Sequence, residues 1–284
     1  MNLVLGVALP LLVVFTMFVV GLSLTRAEFA NVARHPRVTL IALAGQWLLP
    51  PTVAVSLVKV LNLPGVLAMG VILAAAAPPG AISNYYALLA RARVALAVTL
   101  TAISSLGAAI ATPLLASLAH WFALRESAAF TLPAAKMLQQ TVIGLLLPVL
   151  VGMAVRHFVP SWVARHESKL RGLALLAVAL VVAFIITDQI TLIRDQLVFL
   201  LQTAALFTGV LLAAGWLLGR FASDEVTERR ALLFGFPARN MAVASLLAVA
   251  AFGRVDIAAF AAVFFLVQVI VLVPLALLLG QARR

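Results

Sequence analysis

The sequence predicts an all-α polytopic membrane protein, and three observations carry that reading. Hydrophobic residues make up 65% of the 284 residues and charged residues only 10%, against roughly 45–50% and 25% in soluble globular domains. Nine apolar stretches are long enough to cross about 30 Å of hydrocarbon; they fall near residues 3–24, 38–61, 64–90, 94–119, 130–155, 172–187, 197–219, 231–252 and 257–280. The connections are short, so residues 1–284 read as a single membrane domain with no large polar segment for an attached soluble enzyme.

The first stretch lacks a basic segment before its apolar run and is too long for a signal peptide, so it is read as the first membrane helix. The third, VLAMGVILAAAAPPGAISNYYALLA, places Pro78, Pro79 and Gly80 just before Ser83 and Asn84. Proline removes a backbone donor and clashes with the preceding turn, which predicts a break. After the fifth stretch comes the longest polar run, RHFVPSWVARHESKLRG at 156–172, read as a solvated cytoplasmic loop or as an interfacial basic helix for lipid headgroups. The sixth stretch is the shortest, with Asp188 at its outer end. The eighth repeats the chemistry of the third, because Gly235 and Pro237 precede Arg239 and Asn240.

Each interrupted stretch is followed by one more span, before the basic run in one case and before the chain end in the other. That spacing predicts a two-fold internal repeat, and paired interrupted helices in corresponding positions point to a transporter's central site. Broken backbone at membrane depth is tolerated only where protein or a water-filled cavity covers it. Arg239 is the sole charge within residues 231–251, and an intramembrane arginine, costing roughly 2.5–3.5 kcal/mol on insertion scales, is a functional-site candidate by default.

The net charge of +11 sorts by topology. Loops after odd-numbered spans, with the C-terminus, hold fourteen basic residues, among them Arg26, Arg91, Arg93, Arg171, Arg283 and Arg284; the other side holds five, including Lys59 and Arg125. The positive-inside rule then puts the N-terminus outside and the C-terminus in the cytoplasm. Arg91 and Arg93 are read as orientation signals. Membrane lipid accounts for the basic balance without nucleic acid. The chain has no cysteine, so it has neither disulfides nor cysteine-ligated metal. No span centre carries a histidine, a carboxylate pair or a serine–histidine pair, so no catalytic residues and no midplane proton relay are assigned.

Several stretches resemble the bile acid:sodium symporter family. TMFVVGLSLTRAEFANVARHPRV, with Phe29 and the step His35-Pro36-Arg37, resembles the end of a conserved helix and its loop. Pro78-Pro79-Gly80-Ala81-Ile82-Ser83-Asn84 matches the family's Pro-Gly-Gly-x-x-Ser-Asn except at one glycine, and Leu89-Ala90-Arg91 and Thr112-Pro113-Leu114-Leu115 also fit. The similarity spans nearly the whole chain, although the family's first helix of ten has no counterpart. It implies an inverted-repeat fold with a panel domain (about 1–37 and 130–190) and a core domain (about 38–120 and 197–280), the two broken helices crossing near the midplane. It also implies a secondary transporter of small or bile-acid-like organic anions in the cell membrane, in a bacterium the inner one, driven by sodium.

By the same resemblance, one sodium site falls on Ser83, Asn84, Ala97, Thr101 and Gly235, and the second on Gln46, Gly235, Phe236, Ala238 and Arg239. Ser83, Asn84, Thr101 and Gln46 keep suitable oxygens. The shared glutamate has become Gly235, and all nine acidic residues lie in loops or at span ends. A hard cation wants oxygen ligands, by analogy with calcium and magnesium, so these losses favour a sodium-independent carrier working by uniport, exchange or proton coupling; no cofactor is assigned, and Ser83, Asn84 and Thr101 are the residual candidate ligands for sodium. Three roles stand open for Arg239: a resident cation in place of sodium, a fork for a substrate carboxylate, or a structural residue paired with carbonyls. The alternative function is a transport-incompetent regulatory or lipid-interacting protein on the same scaffold, which uptake of a radiolabelled anion into liposomes would exclude.

Overall fold

The computed structural model describes residues 7–25, 30, 32, 34–124 and 132–281. Arg26, Glu28, Phe29, Arg125, Glu126, Arg283 and Arg284 lie outside them. The described residues form helices: α1 (Leu9–Leu22), α2 (Pro36–Val60), α3 (Gly65–Ala76), α4 (Ile82–Leu89), α5 (Val94–Leu124) and α6 (Ala134–Thr141) in the first half. After a π-turn at Val142–Leu146 come α7 (Leu147–Phe158), α8 (Pro160–Asp188), α9 (Ile190–Asp195), α10 (Leu197–Ala222), α11 (Val226–Gly235) and α12 (Met241–Leu246). A second π-turn, Leu247–Ala251, leads towards α13 (Ala258–Gln281). Among the described residues six helical segments are long and apolar enough to cross a membrane, and Leu9–Leu22, Gly65–Ala76 and Met241–Ala251 are shorter apolar helices.

The basic run at 156–172 is not a loop. Helix α7 continues through Arg156 to Phe158, a single turn at Val159 redirects the chain, and Pro160 opens a 29-residue helix that absorbs the rest. Proline is favoured at the first helical position because its missing N–H would be unpaired there anyway. Glu167 then pairs with Arg171 one turn on and with Arg156 at 2.9 Å across the bend. The sixth apolar stretch is therefore the second half of one of the longest helices.

The two short half-helices beside the breaks are buried on all sides: Leu67 to Ala76 in α3 and the whole of α12. Helices that are apolar all round belong inside a larger bundle. By contrast α8 and α10 leave Leu173, Leu176, Leu180, Val198 and Leu217 exposed, the pattern of helices that face hydrocarbon. Proline within a helix removes the donor for the carbonyl four residues back. Pro113 does this to Ala109, whose carbonyl accepts from Thr141 Oγ1 at 2.8 Å instead.

Helices α1 and α7 meet through glycine. A Cβ on Gly21 would strike the Val149 carbonyl, and one on Gly152 would strike the Phe18 carbonyl. Small residues that let backbones approach in this way are a common packing device of membrane helices. Gly152→Val is expected to force the helices apart and lower the unfolding midpoint in detergent. Overpacking of this kind costs about 1–3 kcal/mol, and an unchanged midpoint would show that the two helices can separate freely.

Candidate functional site

The two predicted breaks meet. Helix α3 stops at Ala76, Ala77 is extended, and Pro78 and Pro79 cannot continue the helix before α4 starts at Ile82. Helix α11 ends at Gly235, and the chain passes Pro237 to reach α12, whose first turn is capped by Asn240 Oδ1 accepting from the Val243 N–H at 3.2 Å. Between them Pro79 and Arg239 pair as an antiparallel bridge, with Gly80 N–H donating to the Ala238 carbonyl and Asn240 N–H to the Pro78 carbonyl, both at 2.8 Å. Each break thus supplies hydrogen-bond partners that the other lost. At Gly80 a Cβ would lie 3.3 Å from the Arg239 carbonyl oxygen, so the close approach favours glycine.

Behind this bridge lies the Arg239 side chain, 1% exposed. Its guanidinium donates to the carbonyls of Ala75 at 2.9 Å, of Ala77, and of Gln46 at 3.3 Å. These acceptors are free for reasons legible in the chain. The last carbonyls of a helix have no intrahelical partner and carry the negative end of its dipole, which accounts for Ala75 and Ala77; Thr112 Oγ1 takes the intervening Ala76 carbonyl at 2.9 Å. The Gln46 carbonyl lacks its donor because the residue four positions on is Pro50. Arginine therefore joins α2 to the break through carbonyls that two local sequence features vacate.

The other candidate residues form two small groups. Ser83 Oγ and Thr101 Oγ1 lie 3.1 Å apart, and the single Thr101 hydroxyl proton has two acceptors within reach, Asn84 Oδ1 at 3.2 Å and the Ala97 carbonyl at 2.9 Å. These are the oxygens that could hold a hard cation, but all are neutral and offer no charge to offset it. Deeper in, Ser104 Oγ donates to Gln46 Oε1 at 2.9 Å. Gln46 Nε2 and Arg239 Nε have no partner among the described residues. Among the described residues a Cβ on Gly235 would touch only Gln46 Nε2, at 3.1 Å.

A cavity of 230 Å³ opens between these breaks and the α1–α8 wall. Gly80, Asn84, Thr101 and Asn240 line it beside the breaks; Ser23, Leu88 and Val94 line it near helix ends, and Arg171 lines it from within α8. Concave, mostly apolar sites with a few placed polar groups are typical of small-molecule binding.

A family model described as the sodium bile acid symporter family matches residues 10–196. The chain belongs to that family. It is a family of transporters rather than enzymes, and with the six long apolar helices it makes this chain a multi-pass membrane protein. Relatives include the uncharacterized sodium-dependent transporter YocS of Bacillus subtilis (strain 168), 27% identical over 83% of this chain and 72% of that protein. The probable sodium/metabolite cotransporter BASS2, chloroplastic, of Oryza sativa subsp. japonica is 29% identical over 76% of this chain and 50% of its own length. BASS1, chloroplastic, of Arabidopsis thaliana, also a probable sodium/metabolite cotransporter, is 29% identical over 84% and 58%. The chain thus spans only about half the length of these two plant symporter relatives.

Two features of this family member escape sequence reading. Arg93, read from sequence as an orientation signal, donates to buried Glu228 at 2.5 Å and to His35 Nε2 at 2.7 Å, which leaves His35 Nδ1 to carry hydrogen towards Glu228 at 3.4 Å. The cluster ties together the first turns of α2, α5 and α11. Its only sequence signal was an acidic residue in the first turn of a helix. The second is Arg171, counted among loop charges but placed on the cavity wall.

Proposed function

We propose that this chain is a secondary carrier of organic anions that works by alternating access and does not require sodium. The observation that carries the reading is the Arg239 guanidinium, buried among the carbonyls of Gln46, Ala75 and Ala77. A tethered cation there takes the role of an exchangeable one, and Gly235 leaves no carboxylate to attract a second. In this reading nine spans cross the membrane, the broken pair crosses near the midplane, and the N-terminus is outside. The packing of α1 on α7 and α8, and of α2 with α5 and α10, supports a panel against a core. The cavity then lies between the two and reaches the basic, cytoplasmic ends of α1, α4 and α5. Membrane lipid and a small organic anion are the partners, and nucleic acid is not one of them.

Initial uptake of radiolabelled taurocholate, pantoate and pyruvate into proteoliposomes tests the reading, with sodium chloride and choline chloride gradients of equal ionic strength. At least one anion is expected to enter faster than into empty liposomes, at equal rates in both salts. Uptake stimulated severalfold by sodium would remove the resident-cation role, and uptake of none would favour the regulatory scaffold.

A further inference from the structure

The cavity has a cation of its own. Arg171, Ala174, Leu175 and Val178 line it from α8, and their spacing of three, one and three residues puts them on one face of the helix. That face presents a guanidinium at the mouth and an apolar wall below it. Among the described lining residues the charged side chains are Arg171 and Arg239, and the hydrogen bonds of Arg239 go to main-chain carbonyls behind the bridge. Arg171 is 55% exposed at its side chain, pairs with Glu167, and donates to Ser23 Oγ at 3.2 Å on the facing end of α1. Glu167 is shared with Arg156, so it has a second cation to hold when Arg171 turns away.

Resting on the carrier reading above, we propose that Arg171 is the substrate-anchoring residue of the cavity: it exchanges Glu167 for the single carboxylate of an entering anion. The guest this fits is a monoanion with an apolar body. Its charged group sits against Arg171 at the mouth, its body against Leu88, Val98, Leu175 and Phe265, and any polar group at its far end reaches Asn84 and Thr101. A single guanidinium already shared with a carboxylate selects against di- and trianions. Arginine suits the task because its planar fork accepts a carboxylate through two parallel bonds.

The test uses two probes with one body, 4-phenylbutyrate and its neutral amide 4-phenylbutyramide, bound to the detergent-purified full chain and measured by equilibrium dialysis. Wild type is expected to bind the carboxylate at least tenfold more tightly than the amide. Arg171→Gln is expected to weaken carboxylate binding about tenfold and leave amide binding unchanged, the latter reporting an intact fold. Arg171→Lys is expected to fall between, because an ammonium cannot form the fork. Glu167→Gln is expected to tighten carboxylate binding severalfold by removing the competitor. Equal affinity of wild type for the two probes, binding of neither, or a carboxylate preference that survives Arg171→Gln would overturn the anchor. The carrier reading stands apart: proteoliposome uptake of any anion of the first set that persists in Arg171→Gln at the wild-type rate sinks the anchor and leaves the carrier in place.

Discussion

Arg239→Leu is expected to reduce initial transport rates at least a hundredfold and to lower the unfolding midpoint by on the order of 5 °C. The sign comes from a competition between two terms. Removing the guanidinium cancels the cost of holding a charge at membrane depth, roughly 2.5–3.5 kcal/mol on insertion scales. It also leaves the carbonyls of Gln46, Ala75 and Ala77 without donors, and each buried group left unpaired costs about 1–3 kcal/mol. Three vacated acceptors outweigh one relieved charge. Transport falls further than stability, because these bonds fix α2 to the end of α3 and so fix the bridge on which the cavity rests. Arg239→Lys separates charge from geometry. Its three donors radiate from one nitrogen, whereas the guanidinium reaches Ala75 and Ala77 from one nitrogen and Gln46 from another, so the lysine is expected to keep the first two bonds and lose the third, the fold surviving with transport partly retained. Full activity in Arg239→Leu would show that the guanidinium is a passenger.

The breaks were legible because proline and glycine act through the backbone, wherever they stand. Pro78, Pro79, Gly80 and Pro237 stop helices on chemistry that needs no neighbour, and both interruptions lie where the sequence puts them. The partners of Arg239 were harder to read, because carbonyls belong to every residue and leave no side-chain signature. One clue was present: Pro50 follows Gln46 by four positions, which leaves that carbonyl in want of a donor. Asn84 and Thr101, seventeen residues apart, could be paired only by the resemblance. Nothing local says that α4 and α5 bring them to 3.2 Å.

Arg171 is hard to place for a different reason, because the sequence leaves its run open between a loop and an interfacial helix. A dense run of charges looks like a loop when residues are counted by hydropathy, yet RHESKLR is also a good helix, with Glu167 and Arg171 one turn apart. Continuing α8 through that run puts the half-exposed arginine on the cavity wall. Arg93 shows the same limit in another form, since its partner Glu228 lies 135 residues away and folding alone joins them. Sequence gave the sign of these charges; packing decided which ones meet.

Gly235→Glu combined with Arg239→Gln is expected to turn the protein into a sodium-stimulated carrier, raising uptake severalfold in sodium over choline. A Cβ at position 235 would lie 3.1 Å from the unpaired Gln46 Nε2, the end of a side chain, which has to shift by a few tenths of an ångström to admit it. Removing the guanidinium frees the carbonyls of Gln46, Ala75 and Ala77, and the introduced carboxylate supplies the charge a hard cation needs where water is scarce. A ligand that binds only the folded state stabilises it by RT ln(1 + [L]/Kd), about 2.7 kcal/mol at a hundredfold excess over Kd. The unfolding midpoint of the double variant is therefore expected to rise in sodium chloride relative to choline chloride, while that of the wild type does not. Gly235→Glu alone sets its carboxylate beside the resident guanidinium, and the two neutralise each other without an ion. That single variant is expected to remain insensitive to sodium, which distinguishes an occupied cation position from one that merely lacks a ligand. A double variant that folds, carries its anion and still ignores sodium would mean that the carbonyls are arranged for a guanidinium alone.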